Sequence, residues 1–142
     1  MEYQSATEAR KDFSSMLDKA VFDRPQFIQR TRDHILVIGE SILEMALANN
    51  SLHVDILECD DKTFIATLDE IEDLIATGDS RETAIEDMSR TILEYAKEYY
   101  NEFGLYSRAP NRKQHLPYVM RALTLGTPEK VKEMLLCQTG KN

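Results

Sequence analysis

The stretch SATEARKDFSSMLDKAVFDRPQFIQRTRDHILVI, residues 5–38, decides the fold of the amino-terminal part of this chain. It follows a short predicted strand at residues 2–4 and opens with a capping box, in which the Ser5 hydroxyl caps a helix and the Glu8 carboxylate reaches back. Pro25 ends this helix. Its apolar residues recur at spacings of three and four, which predicts one helical stripe made of Ala9, Phe13, Met16, Leu17 and Ala20.

A β-hairpin is predicted next, with strands at residues 26–32 and 35–38 and a tight turn at Asp33-His34. The second strand is apolar throughout and has no alternating polar face. Both of its faces must therefore be covered by other groups.

A second capping box, Ser41 with Glu44, opens a short helix that Asn49-Asn50 stops. The predicted order is therefore strand, helix, hairpin and helix. A unit of about fifty residues buries too little apolar surface to be stable alone. The sequence thus predicts that residues 1–50 form a dimerising domain.

The rest of the chain is predicted as an α+β domain at residues 51–104 and a basic helical tail at residues 105–142. Alternating apolar residues predict a small three-stranded sheet, with strands at 52–56, 64–68 and 74–77. Ser80 starts the longest helix and Gly104 closes it. Its apolar stripe consists of Ile85, Met88, Ile92, Tyr95, Ala96, Tyr99 and Phe103. The predicted fold class of the whole chain is α+β.

The composition predicts a cytoplasmic protein without a membrane span. A chain of 142 residues, 42% hydrophobic and 30% charged, suffices for one domain or two small ones. No apolar run approaches the ~20 residues that span a bilayer, and the amino terminus lacks the features of a signal peptide. Cys59 and Cys137 are lone thiols, which favours neither a disulfide framework nor a zinc site.

The net charge of −8 is unevenly distributed. Residues 1–50 carry six basic and eight acidic side chains, residues 51–105 carry four and fifteen, and residues 106–142 carry seven and two. Such asymmetry predicts different partners for the segments. The acidic middle would repel nucleic acid and attract a cationic protein surface. The tail, which includes Arg112 and Arg121, could contact DNA or neutralise the acidic middle of the same chain.

Four cations are candidates for contact with DNA phosphates. Arg10 and Lys11 are placed in the first turn of the first helix, where cations oppose the macrodipole, so phosphate contact would explain them. Arg30 and Arg32 lie two residues apart on a predicted strand and would point to the same face. In a dimer, two copies of these four side chains would form a local basic surface. Solvated side chains without a partner are the alternative.

A family resemblance rests on residues 5–13 (SATEARKDF) and 16–21 (MLDKAV), which resemble the start of the Phd/YefM-type antitoxins. In that family, a strand and an "EAR" helix precede a hairpin of the form P-x-x-I-x-R. The segment PQFIQR at residues 25–30 matches this form, and residues 35–38 match the apolar strand that follows it. The resemblance covers residues 2–48.

The resemblance implies a homodimer, or a higher even oligomer, that binds operator DNA, represses its own operon and neutralises a cognate toxin. The arginines with which the family contacts DNA fall on Arg10 and Arg30, with Lys11 and Arg32 as neighbours. Neither catalysis nor a cofactor or metal is implied. The family often has a glycine in the hairpin turn, whereas residues 32–34 contain none.

A second, shorter resemblance lies in the middle segment. Residues 64–68 (FIATL), with GDS at 78–80 and ETA at 82–84, are similar to the strand–strand–helix core of HicB-like antitoxins. The Pro-Gly-Cys element usual between those pieces is absent, and residues 69–73 occupy its place. This similarity implies that the acidic middle is a protein-interaction domain for a basic toxin.

Two other functions stay open from the sequence. One is a metal-dependent hydrolase, whose Mg²⁺ or Mn²⁺ ligands would be Asp60, Asp61, Asp69, Glu70, Glu72 and Asp73. These carboxylates lack a His or Lys partner, and the chain has no nucleophilic triad and no glycine-rich phosphate loop. The sequence therefore predicts no enzyme. The other is a protein-interaction module that no longer binds DNA, which the missing turn glycine and the net acidity favour.

Overall fold

A computed structural model describes residues 1–137, which form two compact units. Unit 1 comprises Met1–Ala46, and unit 2 begins at Leu47. Each unit combines helices with one small sheet, so the predicted α+β class is confirmed. No helix in this part of the chain is both long enough and apolar enough to cross a membrane.

Unit 1 has the predicted succession of strand, helical segment, hairpin and helix. Its elements are β1 (Gln4–Ser5), α1 (Ala6–Lys11), α2 (Phe13–Phe22), β2 (Gln26–Arg30), β3 (Asp33–Val37) and α3 (Glu40–Leu47). The sheet has the order β1-β2-β3. β1 runs parallel to β2, with Gln4 opposite Ile28, and β2 runs antiparallel to β3.

The first helical segment is broken at Asp12, so the prediction of one continuous helix is wrong. The Asp12 backbone (φ −139°, ψ 70°) leaves the helical conformation. Its carboxylate accepts a hydrogen bond from the Ser15 amide at 3.2 Å and so caps α2. Aspartate is favoured here because its oxygen satisfies an amide that the first turn leaves unpaired. Ser5 caps α1 in the same way, as predicted, accepting from the Glu8 amide at 3.1 Å.

The hairpin turn lies at Thr31-Arg32, two residues earlier than predicted. β2 ends at Arg30, which is paired directly with Asp33, so the predicted strand to residue 32 and the turn at Asp33-His34 are wrong. Thr31 has a φ of 54°. This left-handed conformation is strained for a β-branched side chain and favours glycine.

We expect Thr31→Gly to stabilise unit 1 by about 0.5–1 kcal/mol. The left-handed conformation costs an L-residue ~1–2 kcal/mol, and the extra freedom of glycine in the unfolded chain offsets about half of that gain. Native-state hydrogen exchange of the β2 and β3 amides measures the effect. Arg32→Gly is the matched control, because the φ of Arg32 is not positive. An equal gain in both variants would contradict the strain at Thr31.

The third helix starts earlier than predicted. The Gly39 carbonyl accepts hydrogen bonds from the Ile42 and Leu43 amides at 3.1 and 3.2 Å, and α3 begins at Glu40. Ser41 therefore lies inside the helix, and its predicted capping box is wrong.

Unit 2 is built on a four-stranded sheet. Its strands are β4 (Leu52–Glu58), β5 (Phe64–Leu68), β6 (Ile75–Gly78) and β7 (Leu135–Cys137), in the order β6-β5-β4-β7. The three predicted strands are confirmed. The fourth comes from the tail and runs parallel to β4, with Leu52 opposite Leu135.

One long helix, α4 (Arg81–Asn101), covers one face of this sheet. It starts where predicted, and Ser80 caps it in a reciprocal capping box with Thr83. The predicted stripe is buried at Met88, Ile92, Tyr95, Ala96 and Tyr99. The helix ends before Gly104, which lies within the short helix α5 (Phe103–Tyr106), so the prediction that Gly104 closes α4 is wrong.

The tail is folded into unit 2. Its helices α6 (Leu116–Leu125) and α7 (Pro128–Val131) pack against α4. Val119, Val131 and Met134 are fully buried there. Thr127 caps α7, accepting a hydrogen bond from the Lys130 amide at 3.2 Å. The apolar positions of the tail therefore complete the core of unit 2.

Candidate nucleic-acid interface and partner surfaces

Arg10 and Lys11 are exposed in the last turn of α1, not in the first turn of a long helix. Because Asp12 ends α1 after six residues, the macrodipole favours cations at this place. The sequence argument that the helix macrodipole disfavours Arg10 and Lys11, and that phosphate contact would explain their presence, is therefore wrong. The Lys11 ammonium lies 3.6 Å from the Glu8 carboxylate, in an exposed ion pair of little stabilising effect.

Arg30 is the last residue of β2, and Arg32 lies in the turn. The prediction that they share a strand face is wrong, because the strand ends before Arg32. The Arg30 guanidinium donates to the Asp33 carboxylate across the turn at 2.7 Å, and both side chains are exposed. Within residues 1–137, no carboxylate forms an ion pair with Arg10 or Arg32.

The sheet register places the start of α1 beside the end of β2. Ser5 is paired with Gln29, the residue before Arg30, and α1 begins at the next residue along the chain. Arg10 follows four residues later, about 6 Å along the helix at 1.5 Å per residue. The two predicted pairs of cations thus lie on adjacent elements of unit 1. Their contact with DNA stays a prediction.

A second feature of unit 1 is an apolar surface that its own core leaves uncovered. The buried core contains Ala9, Met16 and Ile28. On α2, Met16 and Ala20 are buried. A neighbouring stripe at spacings of four is exposed, here called the open stripe: Phe13 (57%), Leu17 (40%) and Val21 (51%).

The open stripe was not distinguished in the sequence, where Phe13 and Leu17 are assigned to the same core-facing stripe as Met16. That assignment is wrong, because α2 carries two adjacent apolar series. The series 13, 17, 21 and the series 16, 20 each repeat every four residues. Their combined width exceeds what one small sheet covers, and this width is the signal that could have revealed a second contact surface.

The edge strand β3 adds to this surface. Ile35 and Leu36 are successive residues, so they point to opposite faces, and they are 40% and 49% exposed. Among residues 1–137, both faces of β3 are thus partly open, although the apolar pattern predicts that both must be covered. An apolar, unpaired sheet edge favours association with another chain.

In unit 2, a polar network joins the tail to the acidic segment. The Tyr95 hydroxyl lies 2.7 Å from His115 Nδ1 and accepts a hydrogen bond from Arg112 at 3.1 Å. The same guanidinium lies 3.5 Å from the Asp73 carboxylate and 4.8 Å from the centroid of the Tyr106 ring. Arg112 therefore pairs with one carboxylate of the acidic middle of its own chain, in the sense of one of the two roles that the sequence leaves open.

His115 should make unit 2 less stable in acid. Burial lowers its pKa below the usual 6.5, so the unfolded chain binds the proton more readily, and stability is lost as pH falls below about 6.5. His115→Phe removes the hydrogen bond to Tyr95 and should cost about 1–3 kcal/mol at neutral pH. Urea unfolding at a series of pH values should show this cost shrinking towards about pH 5.

His53 is the control, because its pKa is raised by the hydrogen bond to Glu70. The protonated His53 side chain stabilises the folded protein at pH values below the usual pKa of histidine. This stabilisation is lost as the pH rises through the raised pKa of His53 in the folded protein. The difference in the free energy of unfolding between the wild type and His53→Gln should therefore increase as the pH is lowered. If the difference in the free energy of unfolding between the wild type and His115→Phe does not change with pH, His115 is not the group that makes unit 2 less stable in acid.

Asp61, Glu70 and Asp73, which were considered as metal ligands, have structural partners. Asp61 accepts hydrogen bonds from the Thr63 amide and hydroxyl at 3.1 and 2.6 Å, which lower its pKa. Glu70 accepts from the His53 amide at 2.8 Å and also contacts the His53 ring, so the prediction that these carboxylates lack a His partner is wrong. Across residues 1–137, no three His, Cys, Asp or Glu side chains are grouped as metal ligands. The hydrolase hypothesis has no assembled site in this part of the chain.

Known proteins resemble the chain over nearly its whole length. The PHD-like family model, described as an antitoxin of RelE/RelB toxin–antitoxin systems, matches residues 1–137. A crystal structure from Syntrophomonas wolfei subsp. wolfei, of the antitoxin part of a proposed toxin–antitoxin system, has a TM-score of 0.91 and 34% identity. The match covers 97% of this chain and 99% of that one. No curated protein sequence matches the chain.

Proposed function

Because this chain belongs to the PHD-like family of antitoxins of RelE/RelB toxin–antitoxin systems, we propose that it neutralises a cognate toxin and represses its own operon as a DNA-bound dimer in the cytoplasm. Unit 1 is then a dimerising, DNA-binding domain of the Phd/YefM type. Unit 2 is the domain that contacts the toxin. The observation that carries the proposal is the uncovered apolar surface of unit 1 beside its candidate DNA-binding cations.

Dimerisation follows from the open stripe and β3. Four large apolar side chains of unit 1 lie on the same side of its sheet as α2. They are Phe13, Leu17 and Val21 of the open stripe and Ile35, which is paired with the core residue Ile28. In a two-fold dimer the same surface is used twice, so eight side chains leave water. Complete burial stabilises by about 1.5–3 kcal/mol per side chain. Even partial burial of eight can offset the roughly 4–15 kcal/mol that association costs.

DNA binding follows from duplication of the cations. A dimer carries two copies of Arg10, Lys11, Arg30 and Arg32, which makes eight charges for phosphate contact. The ion pairs of Lys11 and Arg30 are exposed, so exchanging their carboxylate partners for phosphates costs about 0–1 kcal/mol each. Two-fold symmetry of the protein further predicts an operator with two inverted half-sites.

Toxin binding follows from the charge of unit 2. Residues 51–105 carry fifteen acidic and four basic side chains, which attract a cationic surface. Two of the seven basic side chains of the tail, Arg112 and Arg121, already have partners within unit 2. Arg112 is bound to Tyr95 and Asp73, and Arg121 donates to the Asn50 carbonyl at 2.8 Å.

The test of DNA binding is fluorescence anisotropy with the DNA upstream of the gene. With 6–10 phosphate contacts, the affinity should fall about 10³–10⁵-fold between 50 and 200 mM salt. A scrambled duplex of the same length is the control for sequence preference. Absence of binding at 50 mM salt would contradict the repressor function.

A second candidate is an antitoxin that binds its toxin without binding DNA. The turn position that favours glycine is occupied by Thr31, and Lys11 and Arg30 already have carboxylate partners. Tight toxin binding together with no retention of upstream DNA would establish this alternative.

A further inference from the structure

The four-stranded sheet of unit 2 has one covered face and one open face. Side chains alternate between the two faces along each strand. Those under α4 form the core and include Leu52, Val54, Ala66, Leu68 and Ala76. The intervening residues point to the opposite face of the sheet.

Every strand places an aliphatic side chain on that opposite face, here called the open sheet face. These side chains are Leu57 of β4, Ile65 of β5, Ile75 of β6 and Leu136 of β7. Leu57, Ile75 and Leu136 are 66%, 60% and 49% exposed, and Ile65 is half-buried. Leu57 is directly opposite Ile65 in the strand register, so these two form one patch. Antiparallel sheets usually present polar residues to water, so aliphatic residues on all four strands indicate a partner.

The charges around this patch are acidic. Asp55 lies on the same face of β4 as Leu57, and Glu58 follows at the end of that strand. His53 is the basic side chain on this face of β4, and it is held by the Glu70 carboxylate. The acidic surroundings repel DNA and also a second copy of the same face, whereas they attract lysine and arginine.

We propose that the open sheet face is the docking surface for the toxin, which contributes an apolar patch surrounded by lysine and arginine side chains. This inference rests on the proposed function, because it takes the toxin as the basic partner of unit 2. It places toxin binding on the preformed sheet of unit 2, separate from the cations and the open stripe of unit 1.

The test is isothermal titration calorimetry of the full chain with the basic protein encoded beside its gene. Leu57→Lys with Ile75→Lys places two cations on the open sheet face and should weaken binding at least 100-fold. Leu57→Ser with Ile75→Ser removes only the apolar contact and should weaken it about tenfold. The matched control is Leu105→Lys, which changes a residue of α5 that is also 66% exposed and should leave binding unchanged.

The outcomes separate this inference from the proposed function. The lysine pair should retain its circular dichroism and its binding to upstream DNA, because both positions are exposed and lie outside unit 1. If the wild type and both paired variants bind the toxin equally, the open sheet face is not the docking surface, although toxin neutralisation stands. If the wild type does not bind the toxin, both proposals fail. If the lysine pair alters the oligomeric state, the face joins copies of this chain, and the inference is overturned.

Discussion

Leu17→Glu combined with Val21→Glu is expected to convert the proposed dimer of this antitoxin to a monomer. Both residues belong to the open stripe, and they are one helical turn apart. In the dimer their four copies would be buried among apolar side chains. Burial of an unpaired carboxylate there is strongly unfavourable. We expect the dissociation constant of the dimer to rise at least about a thousandfold, equivalent to about 4 kcal/mol.

Size-exclusion chromatography with light scattering measures this change, and loss of binding to upstream DNA should accompany it. Phe22→Glu is the matched control on the same helix. Phe22 is 85% exposed, and at ~100° of rotation per residue it points away from the open stripe. This control should remain a dimer that binds DNA. Persistence of the dimer in the double variant would exclude the open stripe from the interface.

Arg10→Ala combined with Arg30→Ala is expected to abolish detectable binding to upstream DNA at physiological salt. Four cations disappear from the dimer, so the slope of log affinity against log salt should decrease by about 4. At ~100 mM salt the affinity should fall about 100-fold or more. Fluorescence anisotropy at several salt concentrations measures both quantities.

Lys19→Ala with Arg24→Ala is the matched control for these arginines. It removes the same charge from unit 1, but from the last turn of α2 and the residue before Pro25. Operator affinity should change little in the control, and toxin binding should be unchanged in both variants. Equal weakening by the two pairs would mean that total charge, and not these positions, governs DNA binding.

The sequence predicts features that depend on neighbouring residues. Ser5 caps α1 as expected, because a cap requires only an oxygen and an amide two or three residues further along. The start of α4 beside Ser80 was predicted as well. The buried stripe of α4 follows equally from helical periodicity. The α+β class and the order of elements in unit 1 were therefore predictable.

Two kinds of feature were not predictable from the sequence. One depends on which of two possible local structures a residue adopts, and the other depends on pairing between strands that are far apart in the chain. Asp12 could continue a helix or cap a new one, and the second option moves Arg10 and Lys11 to the end of α1. Arg32 leaves the strand because the pairing of β2 with β3 ends at Arg30 and Asp33. β7 pairs with β4, from which it is separated by more than 70 residues, so no local pattern could reveal it.

The DNA-contacting role of the four cations stays a prediction, and the helix-dipole and strand-face arguments for choosing them fail in the structure. The need for a partner, which the apolar strand indicated, also stays a prediction. The open stripe of α2 was not distinguished in the sequence. The open sheet face was also not predicted from the sequence. Leu57, Ile65 and Ile75 lie on one side of the sheet because of the register between its strands, and this register is known only from the structure.

Sedimentation equilibrium of the unmodified chain tests the central claim most directly, namely that two copies of unit 1 associate through the open stripe. A single chain has a mass of 16.3 kDa. At micromolar concentrations we predict a particle of twice that mass, or of a higher even multiple. A single species of 16.3 kDa at every concentration up to ~100 µM would contradict the dimer and, with it, the proposed operator-binding surface.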